Sequence, residues 1–96
     1  MSELREAGAE LRRRREALGL SLDDAYLRTR IAAAHLQALE EGNLSALPGP
    51  FYAVGFVKTY CRHLELEPTR FVHRYQAAAN AMGRPRHRVK RVTRTL

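Results

Sequence analysis

Residues 20–42, LSLDDAYLRTRIAAAHLQALEEG, decide the fold. Ser21 is suited to accept from the orphan amides of a helix start, and Asp23 and Asp24 sit favourably at its positive end. The Ser21…Asp24 pair approximates a capping box, with Asp in place of the usual Glu or Gln. The pattern predicts a helix to about Thr29, a tight turn at Arg30 and Ile31, and a second helix over about 32–41. Leu36 and Leu39 are the main apolar contacts of that second helix, and Gly42 ends it. Two short helices joined by a turn of about three or four residues read as a helix-turn-helix.

Upstream, Leu4, Ala7, Gly8, Leu11 and Leu18 recur at helical spacing, so residues 3–18 read as an amphipathic helix that stops at Gly19. Arg12, Arg13, Arg14 and Arg15 interrupt that stripe and read as a solvated face, with phosphate contact as the alternative. Downstream, residues 43–50 are a loop, because Pro48 and Pro50 flank Gly49. A fourth helix follows over about 51–64. Pro68 suits the first position of a fifth, which carries Phe71, Val72, Tyr75, Ala78 and Ala79 on one side and ends at Gly83-Arg84-Pro85. No strand pattern or internal repeat is present. The sequence predicts an all-α, five-helix, Xre-like helix-turn-helix domain over residues 1–82 and a disordered basic tail over 83–96.

Ninety-six residues fit one domain with a modest core. No apolar run approaches the roughly 18 residues of a membrane span. The acidic N-terminal residues lack the apolar stretch of a signal peptide, so no secretory leader is expected. The single Cys61 points to a reducing cytoplasm. The formal net charge of +7 is unevenly spread. Arg84, Arg86, Arg88, Lys90, Arg91 and Arg94 fall in the tail; taking these 6 from 17 basic residues leaves 11 against 10 acidic ones, or +1 for residues 1–83. Such a tail attracts an anionic membrane surface or nucleic acid equally well.

A DNA-reading helix needs donors and acceptors in its first turns. Here that helix opens Ala32-Ala33-Ala34, which offers at most methyl contacts. Only His35 and Gln37 are polar candidates for base reading, and Glu40 and Glu41 would repel phosphates. Leu22 stands where Xre-type repressors commonly place a phosphate-contacting glutamine. The fold signal is strong and the DNA-reading signal weak.

The fourth helix carries more apolar surface than a core stripe needs: its apolar residues sweep about 200° of the circumference. Ala53, Val57, Tyr60, Cys61 and Leu64 suffice for the core. Tyr52 and Phe56 lie at one margin, one turn apart, and Lys58, Thr59 and Arg62 occupy the opposite, polar side. Tyr60 lies nearer the middle, where at most its ring edge or hydroxyl reaches the surface. Aromatic anchors flanked by cations have the composition of a protein-binding hot spot. The alternative is that all these aromatics are core. Gly55 either admits another backbone or marks tight internal packing. No zinc-ligand spacing, nucleophile–base pair or phosphate loop occurs, so no metal, no cofactor, no small-molecule substrate and no enzymatic activity is expected.

The segments Leu20-Ser21-Leu22-Asp23-Asp24, Arg28-Thr29-Arg30-Ile31, Leu36-Gln37-Ala38-Leu39-Glu40-Glu41-Gly42 and Ser45-Ala46-Leu47-Pro48-Gly49-Pro50 resemble the cytoplasmic domain of the RodZ family. Tyr52-Ala53-Val54-Gly55-Phe56-Val57-Lys58-Thr59-Tyr60 and Leu64-Glu65-Leu66-Glu67-Pro68 continue the likeness. The resemblance implies a bacterial cell-shape adaptor that binds the actin-like MreB filament at the inner face of the cell membrane. A basic juxtamembrane stretch, one transmembrane helix and a periplasmic part normally follow in the family. Phe56 and Tyr60 match its paired filament-binding aromatics, and Lys58 matches a basic position. The chain departs from the family at Val54, where Arg is common, at Glu65, where Gly is common, at Ala32, where Pro is frequent, and at Ala34, where a basic residue is frequent. The expected partner surface is thus Tyr52, Phe56, Lys58, Tyr60 and Arg62. An Xre-type DNA-binding regulator is the alternative.

Overall fold

The computed structural model describes residues 2–83. Five helices follow in order: α1 (Ser2–Ala17), α2 (Leu22–Thr29), α3 (Ala33–Glu41), α4 (Tyr52–His63) and α5 (Thr69–Gly83). A single 3-10 turn, Leu44–Ala46, lies in the loop between α3 and α4. The basic tail falls outside the described residues.

The cap at Ser21 forms as the sequence predicts. Ser21 Oγ accepts from the Asp24 amide at 3.0 Å, and Asp24 Oδ2 accepts from the Ser21 amide at 2.9 Å. That reciprocal pair satisfies two orphan donors and fixes the start of α2. The turn to α3 passes through Arg30 in the left-handed region, φ 64°. Thr29 Oγ1 accepts from the Ile31 amide at 3.0 Å and holds the turn closed. Ile31 then drops into the core.

The core is drawn from every helix: Ala7 and Leu11 of α1, Ala25 of α2, Leu36 and Leu39 of α3, Val57, Tyr60 and Cys61 of α4, and Phe71 and Tyr75 of α5. Leu44 and Leu47 are buried too and pin the loop that delivers the chain to α4. The sequence pattern treats that loop only as a linker; its two leucines make it part of the core.

α1 and α3 touch backbone to backbone at Gly8. A Cβ there would lie 2.3 Å from the Glu40 carbonyl oxygen and 2.6 Å from that of Leu39. Only a residue without a side chain permits this approach. Arg14 of α1 donates from Nε to the Leu64 carbonyl at 2.8 Å, satisfying an end carbonyl of α4. Tyr75 Oη donates to the Leu39 carbonyl at 2.8 Å and ties α5 to α3. The Arg14 bond fixes the end of α4 against α1, while Tyr52, Gly55, Lys58 and Arg62 of α4 stay exposed.

Candidate functional site

α4 divides along its length into an inner and an outer side. Ala53, Val57, Tyr60, Cys61 and Leu64 are buried, and they are the residues that helical counting assigns to the core. Tyr52, Gly55, Lys58, Arg62 and His63 are exposed, while Val54, Phe56 and Thr59 are half-buried.

The aromatics at the margin form a ladder that reaches across to α3. The Phe56 ring stacks on His35 with centroids 5.5 Å apart and planes 17° apart. The Tyr52 ring lies 5.7 Å from Phe56, tilted by 33° to it. Tyr52 remains 55% exposed, so its ring is the open end of the ladder. Phe51, at the start of α4, is also exposed. Its ring covers Gly83 at the end of α5, where a Cβ would come within 2.8 Å. The sequence reading places Phe51 as the first residue of the fourth helix but gives it no role; it is instead the residue before α4, and its ring is turned to α5.

Tyr60 is not a surface residue. It is fully buried, and its hydroxyl donates to Glu40 Oε2 at 2.5 Å. Burial, reinforced by the neighbouring Glu40 carboxylate, holds its phenol above the ordinary tyrosine range. Tyr60 therefore orients α4 from the inside rather than presenting its ring to a partner.

Glu40 anchors this inner network. Arg15 donates from Nε to Glu40 Oε2 at 2.8 Å and from Nη2 to Oε1 at 2.9 Å, and its Nη1 reaches the Leu20 carbonyl at 2.9 Å. The two side chains are 10% and 5% exposed. Arg15 is thus a core residue and not part of a solvated arginine face, and Glu40 is occupied inside the fold. The signal was present in the spacing: Arg15 lies one turn beyond Leu11, and Glu40 one turn beyond Leu36, each on a core-facing row.

The DNA-reading candidates are dispersed. His35 lies against Phe56, and Gln37 donates from Nε2 to Glu41 Oε2 at 2.9 Å. Ala32 and Ala34 are the exposed residues at the front of α3. Asp23 and Asp24 begin α2, the neighbouring element of the motif.

Lys58 and Arg62 are exposed on the outer side of α4 and form no ion pair among the described residues. Lys58 and Val54 border a shallow cleft closed on the α5 side by Pro68, Thr69, Val72 and His73. Among the described residues no group of three or more His, Cys, Asp or Glu side chains could hold a metal ion. None of the helices described is long and apolar enough to cross a membrane. The six tail cations, Arg84 to Arg94, lie outside the described residues.

Five helices with this turn geometry define a helix-turn-helix domain, and a family model of that description, "Helix-turn-helix domain", matches residues 10–71. The chain belongs to this family and, within it, to the RodZ-type N-terminal domains. Over 60 residues, 62% of the chain, it is 40% identical to "Cytoskeleton protein RodZ" of Streptococcus pneumoniae. Over 48 residues, 50% of the chain, it is 44% identical to "Uncharacterized membrane protein YmfM" of Bacillus subtilis. The matched stretches span 22% and 17% of those two proteins, so the chain corresponds to a small part of each. No solved structure matches it.

Proposed function

We propose that this domain is a bacterial cell-shape adaptor that binds the actin-like MreB filament at the cytoplasmic membrane. It works as a binding module and not as an enzyme. The contact surface is the outer side of α4, with Tyr52 and Phe56 as aromatic anchors and Lys58 and Arg62 as flanking cations. The observation that carries this reading is the exposed Tyr52 ring, tilted against Phe56, which itself stacks on His35, although the core is complete without it. Likeness to a protein named for the cytoskeleton supports the cell-shape role. Tyr60 contributes by holding α4 in place through Glu40.

The basic tail adds attraction to an anionic membrane surface, on the order of 1 kcal/mol for each cation near the lipid. Co-sedimentation of the domain with polymerised MreB, for the native chain and Tyr52→Ala, tests the filament contact. Loss of binding with an unchanged Tm supports it; unchanged binding rejects it.

The helix-turn-helix fold also suits a second reading, an Xre-type DNA-binding regulator using His35 and Gln37. The alanines at the front of α3 and the Gln37–Glu41 bond weigh against that reading. A specific-over-random duplex preference abolished by replacing His35 and Gln37 would establish it.

A further inference from the structure

Gly55 lies in the middle of the exposed side of α4, and nothing inside the domain accounts for a glycine there. Its backbone is helical, in a conformation open to every L-residue, and a Cβ built on it meets no atom within 4 Å. Gly8 shows the opposite case, because the same construction strikes the α3 backbone. Glycine in a helix interior weakens the helix relative to alanine, so the position carries a stability cost that the fold itself does not require. Tight internal packing, the other reading of this glycine, is excluded by the open space around it.

Tyr52 and Lys58 stand three residues on either side and are its surface neighbours; Thr59 is the next turn and Arg62 the one after. No acidic residue occurs in α4, YAVGFVKTYCRH. We infer that Gly55 is a contact notch: the place where a main-chain segment of an acidic protein partner lies directly on the α4 backbone. The Tyr52 ring lies toward the start of α4, against Gly49 and Phe56, and leaves the notch open; Lys58 and Arg62 meet the partner's carboxylates. This inference rests on the proposed filament contact and names the point of closest approach within it. It also gives the interface a shape requirement. Cations on long flexible stems accommodate many anionic surfaces, whereas a missing Cβ discriminates by steric fit.

The test compares Gly55→Ala, Gly55→Leu, Tyr52→Ala and the native chain in Tm and in binding to polymerised MreB. Gly55→Ala is expected to raise Tm by about 4–8 °C, as restoring a helix former does in a domain of this size. It is expected to weaken binding roughly tenfold, and Gly55→Leu more, because a methyl or larger group forces the two backbones apart. Opposite signs in stability and affinity are the signature of the notch. Native affinity in Gly55→Ala, with binding lost in Tyr52→Ala, overturns the notch and leaves the aromatic contact standing. Native affinity in all three variants overturns both. Binding that falls on Lys58→Gln and Arg62→Gln but ignores Gly55→Leu also overturns it, in favour of a charge-only contact.

Discussion

Arg15 of α1 and Glu40 of α3 form a two-point ion pair inside the domain, at 2.8 and 2.9 Å, and Tyr60 of α4 closes it from the third side. Both carboxylate oxygens and two guanidinium nitrogens are thereby engaged, and the third nitrogen donates to the Leu20 carbonyl. The pair joins the helix before the helix-turn-helix, its second helix and the helix that carries the candidate binding face. The Glu40 carboxylate holds the Arg15 guanidinium still more firmly protonated than usual.

Removing one partner strands a buried charge. Glu40→Ala is expected to destabilise the domain by about 3–5 kcal/mol in urea unfolding. Replacing both partners, as in Arg15→Met with Glu40→Leu, removes the charge problem along with the pair. That double variant is expected to lose less stability than Glu40→Ala alone.

Gly8→Ala is a severe substitution despite adding a single methyl. The atoms it meets at 2.3 and 2.6 Å are backbone oxygens of α3, which cannot rotate away. The expected loss is about 1–3 kcal/mol or more, read as a fall in the urea midpoint. The same change at Gly55 is expected to stabilise, so the two glycines form an internal control.

Glu65 follows α4 with φ 61°, a left-handed conformation that costs a non-glycine residue roughly 1–2 kcal/mol. The Leu66 amide donates back to the Cys61 carbonyl at 2.9 Å, as in a Schellman close. Glu65→Gly keeps that geometry and gives up only a 3.5 Å surface contact with Arg14. Surface pairs of this kind contribute about 0–1 kcal/mol. Glu65→Gly is therefore expected to raise Tm by a few degrees.

Alkaline stability follows from three buried groups. Burial pushes the Cys61 thiol up from an ordinary 9.0 to about 12. It also raises the phenols of Tyr60 and Tyr75 above their ordinary 10.0. The folded state thus keeps protons that the unfolded chain releases. Stability from these groups is complete below about pH 9 and falls as pH rises past the unfolded values. Each retained proton costs about 1.4 kcal/mol per pH unit in that window. Urea midpoints measured from pH 8 to 11 are expected to be level at first and then to drop with increasing slope.

The capping residues, the turn and the apolar periodicity made the helix-turn-helix legible, since each is a local signal within one or two turns of chain. The core side of α4 was legible for the same reason: Ala53, Val57, Tyr60, Cys61 and Leu64 fall on one side by counting alone. What counting missed depends on partners distant in sequence. Spacing puts Arg15 on a core-facing row, but its charge and place in a run of four cations argue for solvent until Glu40 is found opposite it, 25 residues away. Leu18, placed on the apolar stripe of α1, is instead exposed, because α1 ends at Ala17 and the chain turns away. Whether Tyr60 faced inward or outward turned on that same Glu40. His35 reads only as a polar candidate for base contact; its stacking on Phe56 is set by the packing of α4 beside α3, which local spacing does not carry.

The central claim is that the outer side of α4 is a protein-binding face anchored by Tyr52 and Phe56. Its most direct measurement is the affinity of the Tyr52→Ala, Phe56→Ala double variant for polymerised MreB, taken beside its Tm. Hot-spot aromatics carry about 2 kcal/mol or more, so a loss of roughly 30-fold or greater in affinity is predicted while the domain stays folded. A folded double variant that binds MreB as tightly as the native chain would contradict the account.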